Sequence, residues 1–543
     1  MTAKVRNTML VLELLFGVLM SLPWLVPHLG LLALVGFVPL LCMEKIASEN
    51  GVRRFWIWHY SAFVLWNALT TFWVCNATIG GGIFAVLANA LQMSLVFGLF
   101  RLSKKTLTGV LPYLFLAFTW IAWEKAYFAV QISWPWLVLG NAFAQTTHLI
   151  QWYELTGTLG GSVWIWACNL AVFGMMSALA DFRWQGFTRW GKISAVAGLI
   201  AVFAVPPVCS LVIYHNYDEV SEGQMDVLIG QPNFDPYQKF QSLSQKQQTA
   251  ILVSLWKPAL EVRTDTSRPL LLLAPETFCS DVICGEVEAS PTWQRLHSLA
   301  AASANTSVIF GASSYEYFDT EAAPSANARR LRDGTWYESH NSALCIDGTG
   351  ETEIYHKSKL VVGVEMTPYP KVVGPIAEKI GAPIGHCVGQ KEVSLLHPGG
   401  VPAGCAVCYE SIYGDFCRQY ALKGAKFLTV ITNDAWWGDT PGYRQHFSYS
   451  RLRAIELRRD IARCGNTGIS AFIDQRGDVT QKGPWWETAT LSGSVNLNSA
   501  QTYFARNGDV CGRLCVLGFS LLMLKLLLDL LMMSTGEKRR RAD

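Results

Sequence analysis

The stretch VPAGCAVCYE, residues 401–410, decides how the hydrophilic half of this 543-residue chain is interpreted. Its run of Val, Ala and Cys predicts a short buried strand that ends at Cys408. In open α/β sheets, side chains at the carboxyl ends of strands face the crevice in which ligands bind. Cys408 is therefore a candidate nucleophile. A lone cysteine is also typical of a small buried apolar residue, so other residues must decide between the two interpretations.

The segment around this strand, residues 215–509, alternates β-rich runs with helix-like runs. Such alternation predicts an α/β fold in which helices cover the faces of a substantial sheet. The predicted strands are 225–230, 270–274, 307–312, 342–346, 404–408, 427–432 and 468–474, and the predicted helices are 238–260, 292–302, 415–423 and 445–462.

Two further polar residues follow extended runs in the way that Cys408 does. Glu276 comes just after the apolar run 270–274, and Lys357 follows an extended stretch within 353–360. A free cysteine is only a few per cent thiolate at neutral pH and needs a base or a nearby cation. Glu276 is suited to take the thiol proton, and Lys357 to stabilise the thiolate and the oxyanion. This trio predicts acyl transfer through a thioester.

The apolar residues crowd into the first 214 and the last 35 residues. A hydrophobic content of 51% and 21 tryptophans indicate a membrane protein. We predict eight membrane spans, since most of the apolar runs approach the about 20 residues that cross a bilayer. These runs are 8–25, 30–43, 55–75, 82–100, 110–132, 160–180, 193–214 and 511–533.

Loop charges predict the orientation, because Lys and Arg are retained on the cytoplasmic side. Every second loop carries them, and the short loops between contain none. We therefore predict a membrane domain of seven helices (1–214), a periplasmic catalytic domain (215–509), and an eighth helix with a basic cytoplasmic tail (510–543). A single re-entrant run would invert this topology. Glu124 and Lys125, inside the fifth run, either face a cavity or a partner, or else neutralise each other or lie near the interface.

Cysteine spacing bears on metal and redox chemistry. Cys405 and Cys408 form a C-x-x-C pair, but no second pair follows at zinc-like spacing, so we predict no metal site. A thioredoxin-like use of the pair is an alternative. In an oxidising compartment Cys279 and Cys284 are candidates for a disulfide, whereas Cys405 is expected to stay reduced or to face away from the nucleophile.

The motifs APE, YHKSKL and CYE, which carry Glu276, Lys357 and Cys408 in that order, resemble the Glu-Lys-Cys triad of the nitrilase superfamily. Together with the eight apolar runs, further segments make the chain resemble the apolipoprotein N-acyltransferases over essentially its whole length. These segments are WPW (134–136), VEMTPYP (364–370), ITNDAWWGDTPGYRQHF (431–447) and RLRAIELRRDIARCGNTGISAFID (451–474).

The resemblance implies a membrane portion that carries an outward-facing αββα nitrilase-like domain in the bacterial inner membrane. Cys408 would attack an acyl ester of a phospholipid such as phosphatidylethanolamine, and the α-amino group of a diacylglyceryl apolipoprotein would then take the acyl chain. Glu276 would be the base and Lys357 the oxyanion-stabilising cation. Supporting residues would be Glu365, Tyr409 and Glu410. The expected enzyme is a monomer without cofactor, metal or nucleic-acid partner.

Both substrates are anchored lipids, so apolar segments are expected at the entrance of the site. The candidates are residues 361–370, continuing towards 384, and residues 435–443, with Trp436, Trp437 and Tyr443 as lipid contacts. Packing beneath the domain is the alternative for these aromatic rings. Phe240 lies where the family has an aromatic residue at the lipid site.

Two other functions compete with acyl transfer. A membrane-tethered amidase or nitrilase-type hydrolase would use the same triad with water as acceptor. A channel or transporter would depend on Glu124 rather than on Cys408, but most spans lack ionisable residues.

Overall fold

The computed structural model describes residues 1–237, 243–379 and 385–542. The chain forms two compact units, each with its own interior. The first is helical and comprises Met1–Val130, Trp134–His215 and Asp509–Asp543, and the second comprises Gln131–Ser133 and Asn216–Gly508.

The helical unit consists of long apolar helices connected by short turns. The long helices are Ala3–Leu25, Val38–Glu49, Phe55–Thr71, Ile79–Ser103, Leu111–Tyr127, Thr158–Ala180, Arg189–Asn216 and Val510–Ala542. The unit also contains short helical turns at Gly30–Leu32, Ala33–Gly36, Val74–Ala77, Pro135–Leu137, Leu139–Phe143, Thr147–Leu149, Tyr153–Thr156 and Arg183–Gly186.

Within the described residues, six helical segments are long and apolar enough to cross a membrane. Of the eight predicted spans, the two that fall short are Phe55–Thr71 and Leu111–Tyr127, which have 17 residues each. At 1.5 Å per residue, such a helix is about 25 Å long, somewhat less than the about 30 Å of a bilayer core. The count of eight spans is therefore not confirmed, although a helix lies at each predicted position.

Aromatic rings fill the interior of the helical unit. Phe37 lies 4.5 Å from Trp166 and 5.1 Å from Trp120, measured between ring centroids. The side chain of Asn169 accepts a hydrogen bond from the Phe37 amide at 2.7 Å and donates one to the Ala33 carbonyl at 2.8 Å. Packing and polar contacts of this kind hold helices together in lipid, where the hydrophobic effect between helices is weak.

Charged residues join three loops at one end of the helical unit. Glu44 accepts a hydrogen bond from Lys104 at 2.6 Å, and Lys45 pairs with Asp181 at 2.6 Å. The loops that follow the second, fourth and sixth predicted spans therefore lie together. Their cytoplasmic location remains a prediction from the pattern of Lys and Arg.

The pairing expected as one alternative for Glu124 and Lys125 does not occur. Lys125 Nζ lies 3.0 Å from Asp509 Oδ2. Glu124 Oε1 instead accepts hydrogen bonds from the Leu139 amide at 2.8 Å and from the Trp120 indole at 3.2 Å. The two side chains thus have separate partners.

The second unit contains two stacked β-sheets, so the predicted α/β class is confirmed. Its strands are β1 (Gln224–Gln231), β2 (Leu270–Leu273), β3 (Cys279–Ile283), β4 (Thr306–Phe318), β5 (Arg329–Arg330), β6 (Trp336–Ile346), β7 (Thr352–His356), β8 (Ala403–Val407), β9 (Phe427–Thr432), β10 (Ile461–Gly465), β11 (Ala471–Ile473), β12 (Val479–Lys482) and β13 (Ala489–Asn496). The first sheet has the order β13-β1-β2-β4-β6-β5, with β3 paired to β4 and β7 paired to β6, and the second has the order β12-β11-β10-β9-β8.

Helices cover the outer face of each sheet and give an αββα sandwich. Helices Gln245–Glu261 and Pro291–Ala302 pack on the first sheet, and helix Gly414–Leu422 packs on the second. Helix Pro441–Leu457 contacts the second sheet through Phe447, whose ring centroid lies 5.7 Å from the Arg463 guanidinium in β10. The unit also contains helices Pro370–Lys379 and Tyr503–Asn507. The two sheets pack against each other through their apolar inner faces. Between them, the Cys464 thiol is within hydrogen-bonding distance of the Gly230 and Leu273 carbonyl oxygens.

The clearest difference from the predicted elements concerns residues 445–462. The sequence predicted one helix there, whereas the helix ends at Leu457 and β10 begins at Ile461. Arg458 ends the helix by adopting a left-handed φ of 49°. The sequence prediction also missed β3, β5, β12 and β13, and it made β4 and β6 too short, because only their buried halves are continuously apolar.

All fourteen cysteines lie in the part of the chain that the structure describes, and all are free thiols. Cys279 and Cys284 are therefore not bonded to each other. Cys405 lies in β8 and is not bonded to Cys408.

Candidate active site

Three strand ends bring Glu276, Lys357 and Cys408 together. Glu276 follows β2 in the first sheet, Lys357 directly follows β7, and Cys408 directly follows β8 in the second sheet. The site therefore lies where strand ends of both sheets meet, as expected for chemistry at the carboxyl ends of strands.

Glu276 is held by donors on both carboxylate oxygens. Its Oε1 accepts from Lys357 Nζ at 3.0 Å and from Asn341 Nδ2 at 2.7 Å. Its Oε2 accepts from the backbone amide of Asn433 at 3.1 Å, at the end of β9. A buried carboxylate with three donors has a fixed direction, which a general base requires.

Lys357 is buried between two carboxylates. Its ammonium donates to Glu276 at 3.0 Å and to Glu365 Oε1 at 2.8 Å. Although burial alone would lower the pKa of Lys357, the two carboxylates raise that pKa well above its ordinary value. Lys357 therefore remains a cation and is not the base. Glu365 is fixed in turn by the amide of Val361, which donates to its Oε2 at 2.7 Å.

Cys408 occupies a sharp turn between β8 and the helical turn Cys408–Ile412. Its φ of 52° is in the left-handed region, where residues with a side chain are strained by about 1 kcal/mol. Burial and the Glu276 carboxylate raise the pKa of the Cys408 thiol well above its ordinary value, and the Lys357 ammonium opposes them only in part. Cys408 is therefore a protonated thiol at rest, and it would have to lose that proton to act as a nucleophile.

Glu410 connects this turn to the loop that follows Lys357. Its Oε2 accepts from the Val407 amide at 2.8 Å, and its Oε1 accepts from the Tyr355 hydroxyl at 2.6 Å and the Ser358 amide at 2.7 Å. Burial raises the pKa of Glu410 to about 7, against the lowering effect of these donors. Glu410 makes no hydrogen bond to Glu276 or Lys357, and its contacts instead hold the turn at Cys408 against the loop after Lys357.

Tyr409 and Tyr413 contact a short segment from earlier in the chain. The Tyr409 hydroxyl donates to the Ser133 carbonyl and the Tyr413 hydroxyl to Ser133 Oγ, both at 2.9 Å. Gln131–Ser133 belongs to the same compact unit as these tyrosines. Tyr409 thus anchors the segment after the nucleophile.

The sequence analysis missed Asn341, which lies in β6. Its amide group donates to Glu276 Oε1 and to Glu365 Oε1, both at 2.7 Å. Asn341 and Lys357 together supply the donors that allow two carboxylates to lie side by side. Since these carboxylates are occupied by an ammonium and an amide, they are not arranged as metal ligands.

A buried charged network behind the nucleophile was also missed. His446 Nδ1 lies 2.8 Å from Asp434 Oδ1, and its Nε2 donates a hydrogen bond to the Cys408 carbonyl at 3.0 Å. Arg463 donates to the other Asp434 oxygen at 2.9 Å. Burial alone would raise the pKa of Asp434, but Arg463 and His446 hold that pKa well below its usual range. Through His446, the network fixes the backbone carbonyl of Cys408.

The loop that carries Glu276 crosses β4 at Gly311, where there is no room for a side chain. A Cβ atom at Gly311 would lie 2.6 Å from Glu276 Cα and 2.7 Å from the Pro275 carbonyl oxygen. We expect Gly311→Ala to push the loop outward and to slow acylation of Cys408 at least tenfold, because small misplacements of catalytic groups are costly.

Gly285→Ala is the matched control for Gly311→Ala, since no atom lies within 4 Å of the Cβ position at Gly285. Acylation rates and thermal midpoints of both variants provide the comparison. A Gly311→Ala enzyme that acylates at the wild-type rate would contradict the expected displacement.

The predicted lipid contacts fall into three groups. Phe240 lies outside the described residues. Trp436 is exposed, and its ring lies edge-on to Tyr237; Trp437 is half-buried against His446. Tyr443 is only 4% exposed and stacks on Trp485 at 3.6 Å, so in this unit it is a packing residue and does not present a surface for lipid.

Two different family models match the chain, one in its N-terminal part and one in the rest. Residues 170–504 match the carbon-nitrogen hydrolase family model, and residues 16–171 match the apolipoprotein N-acyltransferase N-terminal domain. The first match alone covers more than half of the chain.

Similar proteins match over nearly the full length. An apolipoprotein N-acyltransferase of Chlorobaculum tepidum is 29% identical over 525 residues, which are 93% of this chain and 94% of that protein. One of Geobacter metallireducens is 26% identical over 524 residues and 93% of each chain.

Two solved structures each cover about half of this chain. Saccharomyces cerevisiae Nit3, a member of branch 10 of the nitrilase superfamily, is 13% identical with a TM-score of 0.38 and covers 52% of this chain and 93% of its own. An amidase from Nesterenkonia is 16% identical with a TM-score of 0.33 and covers 55% of this chain and 98% of its own.

Proposed function

Because this chain belongs to the carbon-nitrogen hydrolase family and carries the N-terminal domain of apolipoprotein N-acyltransferases, we propose that it transfers an acyl chain from a phospholipid to the amino terminus of a lipoprotein through a thioester on Cys408. The observation that carries the proposal is the placement of Lys357 between Glu276 and Glu365, beside a cysteine on a strained turn. This arrangement supplies a nucleophile, a base and a cation for an oxyanion.

In the first half of the reaction, Cys408 Sγ attacks the carbonyl carbon of a phospholipid acyl ester. Glu276 takes the thiol proton as the C–S bond forms, and Lys357 stabilises the negative charge on the carbonyl oxygen. The ester C–O bond then breaks, and Glu276 returns its proton to the leaving alkoxide. The products are a thioester on Cys408 and a lysophospholipid.

In the second half, the free amine of a diacylglyceryl cysteine attacks the thioester carbon. Glu276 accepts a proton from the nitrogen as the C–N bond forms. The C–S bond breaks, and the proton passes from Glu276 to the departing sulfur. The enzyme returns to its resting state with a protonated thiol, the state that the raised pKa of Cys408 favours.

The loop that carries Glu365 also presents apolar side chains, which supports a lipid donor. Val364 and Tyr369 in this loop are 62% and 45% exposed, and Val372 in the helix that follows is 66% exposed. Exposed apolar groups in a cluster are typical of surfaces that contact membranes or ligands. We infer that this part of the 361–370 segment contacts acyl chains, and that the enzyme acts in the bacterial inner membrane with its catalytic unit on the periplasmic side.

Intact-protein mass spectrometry tests the thioester. We expect the full-length protein in detergent, incubated with phosphatidylethanolamine of one defined acyl chain, to gain the mass of that chain on Cys408 and to lose it in hydroxylamine. Cys284→Ala is the matched control, because Cys284 is a half-buried cysteine of the same unit that lies apart from the triad. An adduct at a residue other than Cys408 would exclude this nucleophile.

The acceptor is tested by adding a synthetic diacylglyceryl lipopeptide to the acylated enzyme. We expect the peptide to become N-acylated, and a peptide whose amine is already acetylated to stay unchanged. Release of free fatty acid at the same rate with either peptide would instead identify the membrane-tethered hydrolase.

A further inference from the structure

A second cluster of ionisable side chains lies on the β4–β6 strand pair. Glu338 and His340 are two residues apart on β6, so their side chains lie on the same face. Glu316 on β4 is paired directly with Glu338. Asn341, which donates hydrogen bonds to Glu276 and Glu365, is the next residue along β6, so its side chain lies on the opposite face. The cluster is therefore separate from the Glu-Lys-Cys site.

The two glutamates of this cluster carry like charges at directly opposed positions, an arrangement that is unfavourable in an antiparallel pair. Glu338 is only 7% exposed, and its Oε1 has no hydrogen-bond partner in the part of the chain that the structure describes. Within the same described ranges, neither glutamate forms an ion pair with Lys or Arg. No Lys or Arg of the described residues therefore neutralises this pair, and a bound cation would do so.

His340 is oriented as a metal-binding histidine would be. Its Nδ1 lies 2.7 Å from the Val388 carbonyl oxygen, which can only accept, so Nδ1 carries the hydrogen. Its Nε2 is buried without a partner among the described residues and lies 3.9 Å from Glu316 Oε2. Histidines that bind metals usually donate their second ring nitrogen to a carbonyl or carboxylate in this way.

We propose that Glu316, Glu338 and His340 bind a divalent transition-metal cation, with Zn²⁺ as the best match. One ligand atom from each residue lies within 4.8 Å of the other two. A small movement of the half-exposed Glu316 side chain would let all three atoms bind one ion. Imidazole and carboxylate together suit Zn²⁺, whereas Mg²⁺ and Ca²⁺ prefer oxygen ligands alone. Three protein ligands leave a coordination position for water.

The expected role of this ion is to fix the strands under the active site. Val388 follows Cys387, whose amide donates to the Glu365 carbonyl at 2.7 Å. A metal that holds His340 against Val388 therefore also restrains the segment next to Glu365. Since the ion would not touch the triad, its removal should affect thermal stability more than the chemistry.

Metal titration of the full-length protein in detergent tests the site. The protein is purified with a tag that contains no histidine, stripped with a chelator, and titrated with Co²⁺ as a spectroscopic probe and with Zn²⁺ as competitor. We expect the protein to bind one equivalent of Co²⁺ with the visible absorption of a site made of nitrogen and oxygen ligands. Zn²⁺ should displace the Co²⁺, and bound metal should raise the thermal midpoint. A sulfur-to-cobalt charge-transfer band would place the ion on cysteines and overturn the proposal.

Three substitutions identify the ligands. His340→Ala, Glu338→Gln and Glu316→Gln should each weaken Co²⁺ binding at least tenfold. Glu316→Gln changes a half-exposed residue and is expected to fold normally, so it remains informative if the buried variants do not fold. His397→Ala is the matched control, since His397 pairs with a single carboxylate, Glu353, at 2.6 Å. Binding that is unchanged in Glu316→Gln, or lost in His397→Ala, would overturn the assignment.

Discussion

Replacing Cys408 with alanine is expected to abolish acyl transfer, by at least about 10⁴-fold, because no other group can form the thioester. The rate of N-acylation of a lipopeptide measures this loss. The variant should keep its fold, since alanine fills most of the volume of cysteine. Transfer that persists in Cys408→Ala would contradict the whole mechanism.

A glycine at the same position separates strain from chemistry. The φ of 52° at Cys408 suits glycine, whereas cysteine and alanine are both strained there. Cys408→Gly should therefore be as inactive as Cys408→Ala but more stable by about 1 kcal/mol, which raises the thermal midpoint by roughly 2 °C. Equal midpoints for the two variants would show that the turn stores no strain.

Replacing Lys357 with methionine should have the second largest effect. Acylation of Cys408 should fall about 10³-fold, since the oxyanion loses its cation. Removing one partner of a buried ion pair also costs about 3–5 kcal/mol, because Glu276 and Glu365 would be left without a counter-charge. Single-turnover acylation rates and thermal midpoints measure the two effects.

A second substitution distinguishes the two roles of Lys357. Adding Glu365→Gln to Lys357→Met removes one uncompensated carboxylate and should restore part of the thermal stability without restoring activity. Lys359→Met is the control, because this half-buried lysine lies next to the Tyr413 ring and not between carboxylates. If Lys357→Met kept more than a tenth of the activity, Lys357 would not be the group that stabilises the oxyanion.

The sequence pointed to the three residues of the triad because each follows a strand or extended run, where side chains leave the core. Glu276, Lys357 and Cys408 could be proposed from this pattern and from their chemistry. The role of Glu365 depended on the family resemblance, because no local pattern distinguishes it from a surface glutamate. The hydrogen bonds that Glu365 accepts from Lys357 and Asn341 explain physically why it belongs to the site.

Other site residues could not be predicted, because their positions depend on strand register. Asn341 lies in the part of β6 that the sequence prediction left out, and only its register places it against Glu276. The metal-site candidates were hidden for the same reason, since Glu316 and Glu338 are paired across two strands and are far apart in sequence. Arg463 lies just beyond the predicted helix 445–462, whose last two residues, Ile461 and Ala462, belong to β10, because β10 follows the helix after only three residues.

The hydrogen bonds from Tyr409 and Tyr413 to Ser133 affect where the chain can be cut to obtain a fragment that carries Cys408. Ser133 precedes the main catalytic stretch by more than eighty residues, yet Gln131–Ser133 belongs to the same compact unit. A soluble fragment cut at Asn216 would lose the acceptor for the tyrosine next to its nucleophile. The unit that carries Cys408 is thus not continuous in sequence: a tripeptide from the N-terminal region belongs to it, and a fragment that begins at Asn216 would lack that tripeptide.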